Sequence, residues 1–189
     1  MNTHCNTGAD TGEYLARFYS IISDMVTGMT EAELVNSISY NFIVQMIPHH
    51  RAAIRMSENI LCYSCNDELR SIAENIISEQ TKSIANMEAI IDTSRCLMNC
   101  CCDLSSYQKQ MDNIMQTMFY RMRNARTTKY IDADFIREMI PHHMGAVSMS
   151  ETTLRYCIYT ELKPILRRII SSQKKGIEQM QCLLNKLCR

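Results

Sequence analysis

The 189-residue sequence has no tryptophan, only five glycines and only three prolines. So few turn-formers exclude a chain of many short strands joined by tight turns. Charge of one sign is also missing, because Lys+Arg and Asp+Glu both total 20. That balance removes the electrostatic attraction on which binding to nucleic acid or to an anionic membrane surface depends. No stretch approaches the roughly 18 consecutive apolar residues of a membrane span. Met1–Tyr14 contains no apolar run that would serve as a signal peptide, so the chain as it stands reads as cytoplasmic. A leader removed from a precursor would make it an exported protein instead. The composition is compatible with a homo-oligomer and does not require one.

What the chain does contain is 15 methionines, abundant isoleucine and 10 cysteines. Helix-formers dominate, which points to an all-α protein. In a reducing compartment the cysteines read as free thiols or metal ligands rather than disulfides.

The central feature is a heptapeptide used twice: Gln45-Met46-Ile47-Pro48-His49-His50-Arg51 and Glu138-Met139-Ile140-Pro141-His142-His143-Met144. Four of the five histidines lie in these copies. A shift of 93 residues superposes 40–91 on 133–184 without a gap, with 23 of 52 positions identical. Weaker matches, Tyr14/Tyr107, Met25/Met118 and Met29/Met122, extend the unit to about 14–91 and 107–184. Two copies are too few for a solenoid. They suit two tandem helical hairpins closed into one four-helix bundle with short extra helices, a single domain over 1–189. The Cys-rich stretch 93–106 is the connection between the repeats.

Residues 1–12 are polar and read as a frayed end. Tyr14, Phe18, Ile21, Ile22 and Met25 recur at helical spacing, predicting a short helix that stops near Gly28. Thr30 followed by Glu33 has the form of a capping box, predicting a long helix from there to about Leu61. Asn66 or Ser64 caps the next helix, which carries a buried stripe from Leu69 to Ile91. A Met-rich helix follows the connection, and a second long pair spans about 132–156 and 161–187. Pro164 falls in the first turn of the last helix, where proline is tolerated.

On a helix, Phe42, Met46, His49, Ala53, Met56 and Ile60 form one stripe, and Ile43, Ile47, His50, Ile54, Ser57 and Leu61 form the next. Both are mainly apolar, so both histidines of each copy point inward. Arg51, Arg55, Glu58 and Asn59 take the wet side. A neutral imidazole left with an unpaired nitrogen in a core costs about 1–3 kcal/mol. Gln80 and Gln173, each a polar residue inside an apolar stripe, are the expected hydrogen-bond partners. Such a bond would fix the tautomer and leave the other nitrogen for a metal. Pro48 and Pro141 each remove a ladder hydrogen bond just before the histidines, at a cost of about 3 kcal/mol apiece.

Imidazole with thioether suits copper, Cu(I) especially, with zinc or another divalent ion as the alternative. The candidate ligands are His49, His50, Met46, Met56 and Met87 in one half, and His142, His143, Met139, Met149 and Met180 in the other. Against this stands ordinary packing: methionines at helical spacing fill cores, and buried histidines can be held by hydrogen bonds alone. A second soft-ligand cluster is Cys96, Cys100, Cys101 and Cys102. Cys62-x2-Cys65 sits at the far end of the intervening helix and is a weak zinc signal by itself. Cys157, Cys182 and Cys188 read as packing or exposed thiols.

The pattern Phe-x3-Met-Ile-Pro-His-His-x2-Ala-x2-Met, then Glu-Leu, Ile-Ile and Gln-x3-Ile-x2-Met, used twice, resembles the bacterial domain-of-unknown-function family 305 (DUF305). The resemblance covers about residues 30–187. It implies a ferritin-like four-helix bundle and a link with metal, in some members copper, in proteins that are often exported. Carried onto this chain, it implies the same four histidines and six methionines as ligands. The chain departs from the family at Ser83 and Gly176, where a Glu is common, so no carboxylate role is carried over there. It also lacks the usual export signal and has more cysteine.

Di-iron chemistry needs inward Glu and Glu-x-x-His motifs, and the chain has no Glu-x-x-His. No nucleophile, base and orienting group are brought together by the sequence. The expectation is a metal-binding bundle for storage, buffering or sensing rather than catalysis. The alternative is a metal-free structural or interaction bundle with buried His–Gln hydrogen bonds.

Overall fold

The structure is a computed structural model and describes residues 8–187. Cys5, Cys188 and most of the polar N-terminal stretch therefore lie outside the described residues. The described chain is all-helical: α1 (Gly8–Thr30), α2 (Ile38–Leu61), α3 (Asp67–Glu88), the short α4 (Ile91–Ser94), α5 (Cys101–Arg123), α6 (Ile131–Thr153) and α7 (Leu162–Leu187). Among the described residues, no helix is long and apolar enough to cross a membrane.

Four long helices close a ring: α2 packs on α3, α3 on α7, α7 on α6, and α6 on α2. Two more lie outside it, α1 against α2 and α5 against α6. The apolar stripes set this arrangement. Phe42, Met46, Ala53, Met56 and Ile60 are all buried to within 1% of full burial, as are their counterparts Phe135, Met139, Ala146 and Met149. Tyr14, Met25 and Met29 of α1 and Tyr107, Met118 and Met122 of α5 are buried as well, so the weak matches outside the main repeat mark the outer helices. Each fully buried side chain of this size contributes about 1.5–3 kcal/mol.

The start of α2 differs from the sequence expectation. Thr30 does not open a helix. It ends α1, and its Oγ1 donates to the Val26 carbonyl one turn back at 2.7 Å. Residues 31–37 are not helical. The N-cap is Ser37, whose Oγ accepts from Tyr40 N and donates to the Ser94 carbonyl at 2.7 Å. Asn41 closes the preceding turn by bonding both the N–H and the carbonyl of Val35. Asp134, its counterpart, accepts from Thr128 N and Thr128 Oγ1 in the same way. Gly28 is likewise no helix stop. It lies inside α1 because a Cβ there would come within 2.8 Å of Pro48 Cβ, so its bareness lets α1 approach the proline of α2.

Asn66 does cap α3, accepting from Leu69 N at 3.0 Å. Asn59, expected on the wet side, is fully buried, and its Nδ2 donates to the Tyr14 carbonyl, tying α2 to α1. Cys65 is disulfide-bonded. The Cys62-x2-Cys65 pair is therefore not a two-thiol ligand set, and the expectation of free thiols throughout fails at that residue.

Candidate metal centre in the bundle interior

The two proline-containing helices bring their histidines face to face. Both α2 and α6 stay helical through Pro48 and Pro141. His49 and His142 stack with ring centroids 3.7 Å apart and planes inclined by 29°. Their hydrogen bonds are reciprocal: His49 Nε2 donates to the His142 carbonyl at 3.2 Å, and His142 Nε2 donates to the His49 carbonyl at 3.1 Å. A carbonyl only accepts, so both rings carry the proton on Nε2 and a lone pair on Nδ1. Neither Nδ1 has a partner. Met118 Sδ lies 3.3 Å from His49 Nε2 as a second acceptor. Gly145 makes room for it, since a Cβ at that position would overlap the Met118 sulfur.

The outer histidines are not alike. His50 Nε2 is bonded to Ser83 Oγ at 3.0 Å. In the other half the residue corresponding to Ser83 is Gly176, and a Cβ there would stand 3.1 Å from His143 Nε2. With no hydroxyl to meet it, His143 borders a cavity of about 340 Å³ whose polar walls include Glu79, Gln80, Gln173 and Lys175. His50 borders a much smaller one, about 20 Å³, that shares Glu79, Gln80, Ser172 and Gln173 with the first. Gln80 and Gln173 thus stand as a common wall between the two histidines.

The expected His–Gln bonds are not made. Both amide atoms of Gln80 and the Oε1 of Gln173 are buried without partners. The reason is reach: the inner histidines satisfy Nε2 on each other's backbone, and His50 takes Ser83. Four buried imidazoles, each with an unpartnered Nδ1, and two under-bonded amides in one interior are unusual. His143 Nδ1 has no hydrogen bond of good geometry, although the Met139 carbonyl nearby mildly favours its charged form.

Burial governs the electrostatics. Desolvation pushes His49 and His143 down to about 3 and holds His50 and His142 well below the ordinary histidine value. All four are neutral at physiological pH, so each retains a lone pair. Arg168, bonded to Glu79 at the cavity rim at 3.1 Å, holds that carboxyl below its usual value.

The six methionines expected as ligands, Met46, Met56, Met87, Met139, Met149 and Met180, all lie in the apolar core. Among the described residues none of their sulfurs bonds an imidazole; Met118 is the thioether that does. In the sequence Met118 was visible as a weak repeat match and as one residue of the Met-rich helix, not as a partner of a histidine. No three histidine nitrogens or other ligand atoms converge within 4.8 Å at this centre among the described residues. The residues lining the cavity offer imidazole from His143 and amide groups from Gln80 and Gln173, a set that fits a borderline ion such as copper(II) or zinc better than copper(I).

Sequence reasoning also passed over Glu138 as more than a neighbour of the motif. It is 4% exposed and accepts from Tyr14 Oη at 2.8 Å. Burial raises its carboxyl to about 8, with Asp134 adding to the rise and the Tyr14 bond opposing it. The signal was present in the repeat, because its counterpart is the neutral Gln45.

The cysteine cluster is split. Cys96, Cys100, Cys101 and Cys102 are all exposed, but only Cys100 and Cys102 are in contact, with sulfurs 2.8 Å apart.

The DUF305 family model, a domain of unknown function, matches residues 39–184. No curated protein matches the chain. The crystal structure of a DUF305 fragment from Deinococcus radiodurans is similar in fold, with a TM-score of 0.58 and 22% identity. The similarity covers 79% of this chain and 96% of that one.

Proposed function

The chain belongs to the DUF305 family, and we propose that it is a metal-binding bundle that takes up a borderline ion, copper(II) or zinc, for storage, buffering or sensing. The observation that carries this reading is the polar cavity of about 340 Å³ against His143, walled by the under-bonded Gln80 and Gln173. A core that needed its histidines only for packing would close over them. Here a cavity lies beside His143 and Gly176, where in the other half Ser83 closes off His50.

His143 Nε2 is the first ligand, with amide oxygens of Gln80 and Gln173 beside it and His50 available if Ser83 releases it. A neutral imidazole binds a divalent ion without first losing a proton, so burial prepares it as a ligand. The bound ion would supply a Lewis-acid or, for copper, a one-electron centre. Among the described residues, no nucleophile lining this cavity is hydrogen-bonded to a general base so as to exploit either, which favours binding over catalysis.

The reciprocal bonds between His49 and His142 favour a structural role for that inner pair. It clasps α2 to α6 through backbone carbonyls. The metal-free alternative extends this role to all four histidines. Titration of the purified protein with Cu(II) and Zn(II) separates the two. We expect one interior equivalent, beyond any bound by exposed thiols, that is lost on His143→Ala and retained on Ser83→Ala. Unchanged stoichiometry after all four histidines are replaced by Ala would reject the metal reading.

A further inference from the structure

A second grouping of ligand atoms lies outside the histidine interior, at the connection between the repeats. Among the described residues it is where three ligand atoms of His, Cys, Asp or Glu side chains come within 4.8 Å of one another: Cys100 Sγ, Cys102 Sγ and an Asp103 carboxylate oxygen. Cys100 is the N-cap of the 23-residue helix α5, and its sulfur accepts from Asp103 N at 3.4 Å. Cys102 and Asp103 follow in the first turn, so helix geometry alone folds the three groups toward one point.

The segment before them is held in place rather than loose. Asn99 accepts from Ile38 N at 2.9 Å through Oδ1 and donates to the Cys157 carbonyl at 2.8 Å through Nδ2. Its backbone N–H bonds the Asn36 carbonyl at 2.9 Å. One asparagine thus ties the connection to the start of α2 and to the turn before α7. The thiols of Cys96, Cys101 and Cys157 and the exposed thioether of Met98 lie on this connection and that turn, adding soft donors near the pair.

We propose that Cys100, Cys102 and Asp103 form a surface site for a thiophilic d10 ion, Cu(I) or Zn(II), separate from the histidine centre. Thiolate is the donor that selects such ions. Binding forms two metal–sulfur bonds and releases two thiol protons to solvent, with no change of oxidation state. Two thiolates and one carboxylate around a divalent ion leave a net charge of about −1, and about −2 around Cu(I), which the positive end of α5 favours. The hydrogen bond to Cys102 holds the Cys100 thiol above its ordinary value, so the ion must displace that proton as it binds. Both thiols are exposed, so the ion can exchange with solvent or with another thiol ligand. The proposal stands whether or not the interior binds metal.

The test uses the full chain with its cysteines reduced under anaerobic conditions. Cd(II) serves as the optical probe, through its thiolate-to-metal charge-transfer absorption, and Cu(I) is measured by competition with a chromophoric chelator. We expect one tight equivalent with that absorption. It should be lost in Cys100→Ser/Cys102→Ser and weakened in Asp103→Asn. It should be retained in Cys62→Ser/Cys182→Ser and in His50→Ala/His143→Ala. Serine preserves the N-cap at position 100, so the circular dichroism of the double variant should match wild type. The proposal is overturned if the reduced wild type shows no charge-transfer absorption. It is equally overturned if the absorption survives Cys100→Ser/Cys102→Ser, or disappears only when the histidines are removed.

Discussion

The interior histidines make the metal-free protein sensitive to mild acid, and the size of the effect follows from the structure. An imidazole whose folded-state pKa is depressed contributes stability that is complete above its unfolded value, 6.5, and is lost as the pH falls toward the folded value. For His49 and His143 that folded value is about 3, and His50 and His142 are also well depressed. At pH 5 all four remain neutral in the fold, so the loss depends on the unfolded pKa rather than on the exact folded one. Between pH 7 and pH 5 each group then costs about 1.9 kcal/mol, or about 8 kcal/mol for the four.

Glu138 acts in the opposite sense. Its carboxyl is raised from 4.5 to about 8, so its contribution to stability declines as pH rises through that window and grows as pH falls. Going from pH 7 to pH 5 it returns about 2.5 kcal/mol. The net loss is about 5 kcal/mol, comparable to the whole stability of a marginal domain. Urea unfolding followed by circular dichroism at pH 7, 6 and 5 measures it directly. The midpoint should fall steeply below pH 6.5, and His50→Gln/His143→Gln should take about half of the histidine term away. A midpoint that is flat between pH 7 and pH 5 would refute the claim that these imidazoles are buried and neutral.

Replacing Glu138 by Gln should remove its opposing contribution, so that the loss of stability from pH 7 to pH 5 grows from about 5 to about 8 kcal/mol; a pH series of thermal unfolding reads it, and an unchanged slope would clear Glu138 of the effect. Tyr14→Phe removes the donor to that carboxyl and should cost about 1–2 kcal/mol at pH 7 in the same assay. Gly145→Ala forces Met118 away from His49 and should destabilise by about 1–3 kcal/mol; no loss would mean that Met118 moves freely. Gly176→Ser should close the His143 cavity as Ser83 closes off His50, lowering metal stoichiometry without loss of fold; the converse change, Ser83→Gly, should raise it.

Much of this was legible in the sequence because the repeat encodes it twice. The inward stripes of α2 and α6, the Asn66 cap and the Met-rich outer helix α5 follow from periodicity and capping chemistry. The Thr30–Glu33 capping box failed because the same residues can end one helix as readily as begin another. The deciding interactions, Ser37 with Ser94 and Ile38 with Asn99, come from residues 57 and 61 positions away. The histidine partners failed for a related reason. Sequence spacing shows which face a side chain occupies, not that His49 and His142 will use each other's carbonyls and leave Gln80 unbonded. The asymmetry between Ser83 and Gly176 was visible as two departures from a family pattern. Its meaning, one histidine closed off and one open, required the cavity. Of the cysteine cluster, helix geometry brings together Cys100 and Cys102 with Asp103 and leaves Cys96 and Cys101 outside the group.

The most direct measurement is elemental analysis of protein purified without chelator or affinity metal, carried out on Cys100→Ser/Cys102→Ser with and without His50→Gln/His143→Gln. The thiol substitutions remove the surface site, so any remaining metal reports on the interior. Copper or zinc approaching one equivalent is expected in the first protein and a clear loss in the second. Equal metal content in the two, or none in either after Cu(II) and Zn(II) are supplied, would contradict it.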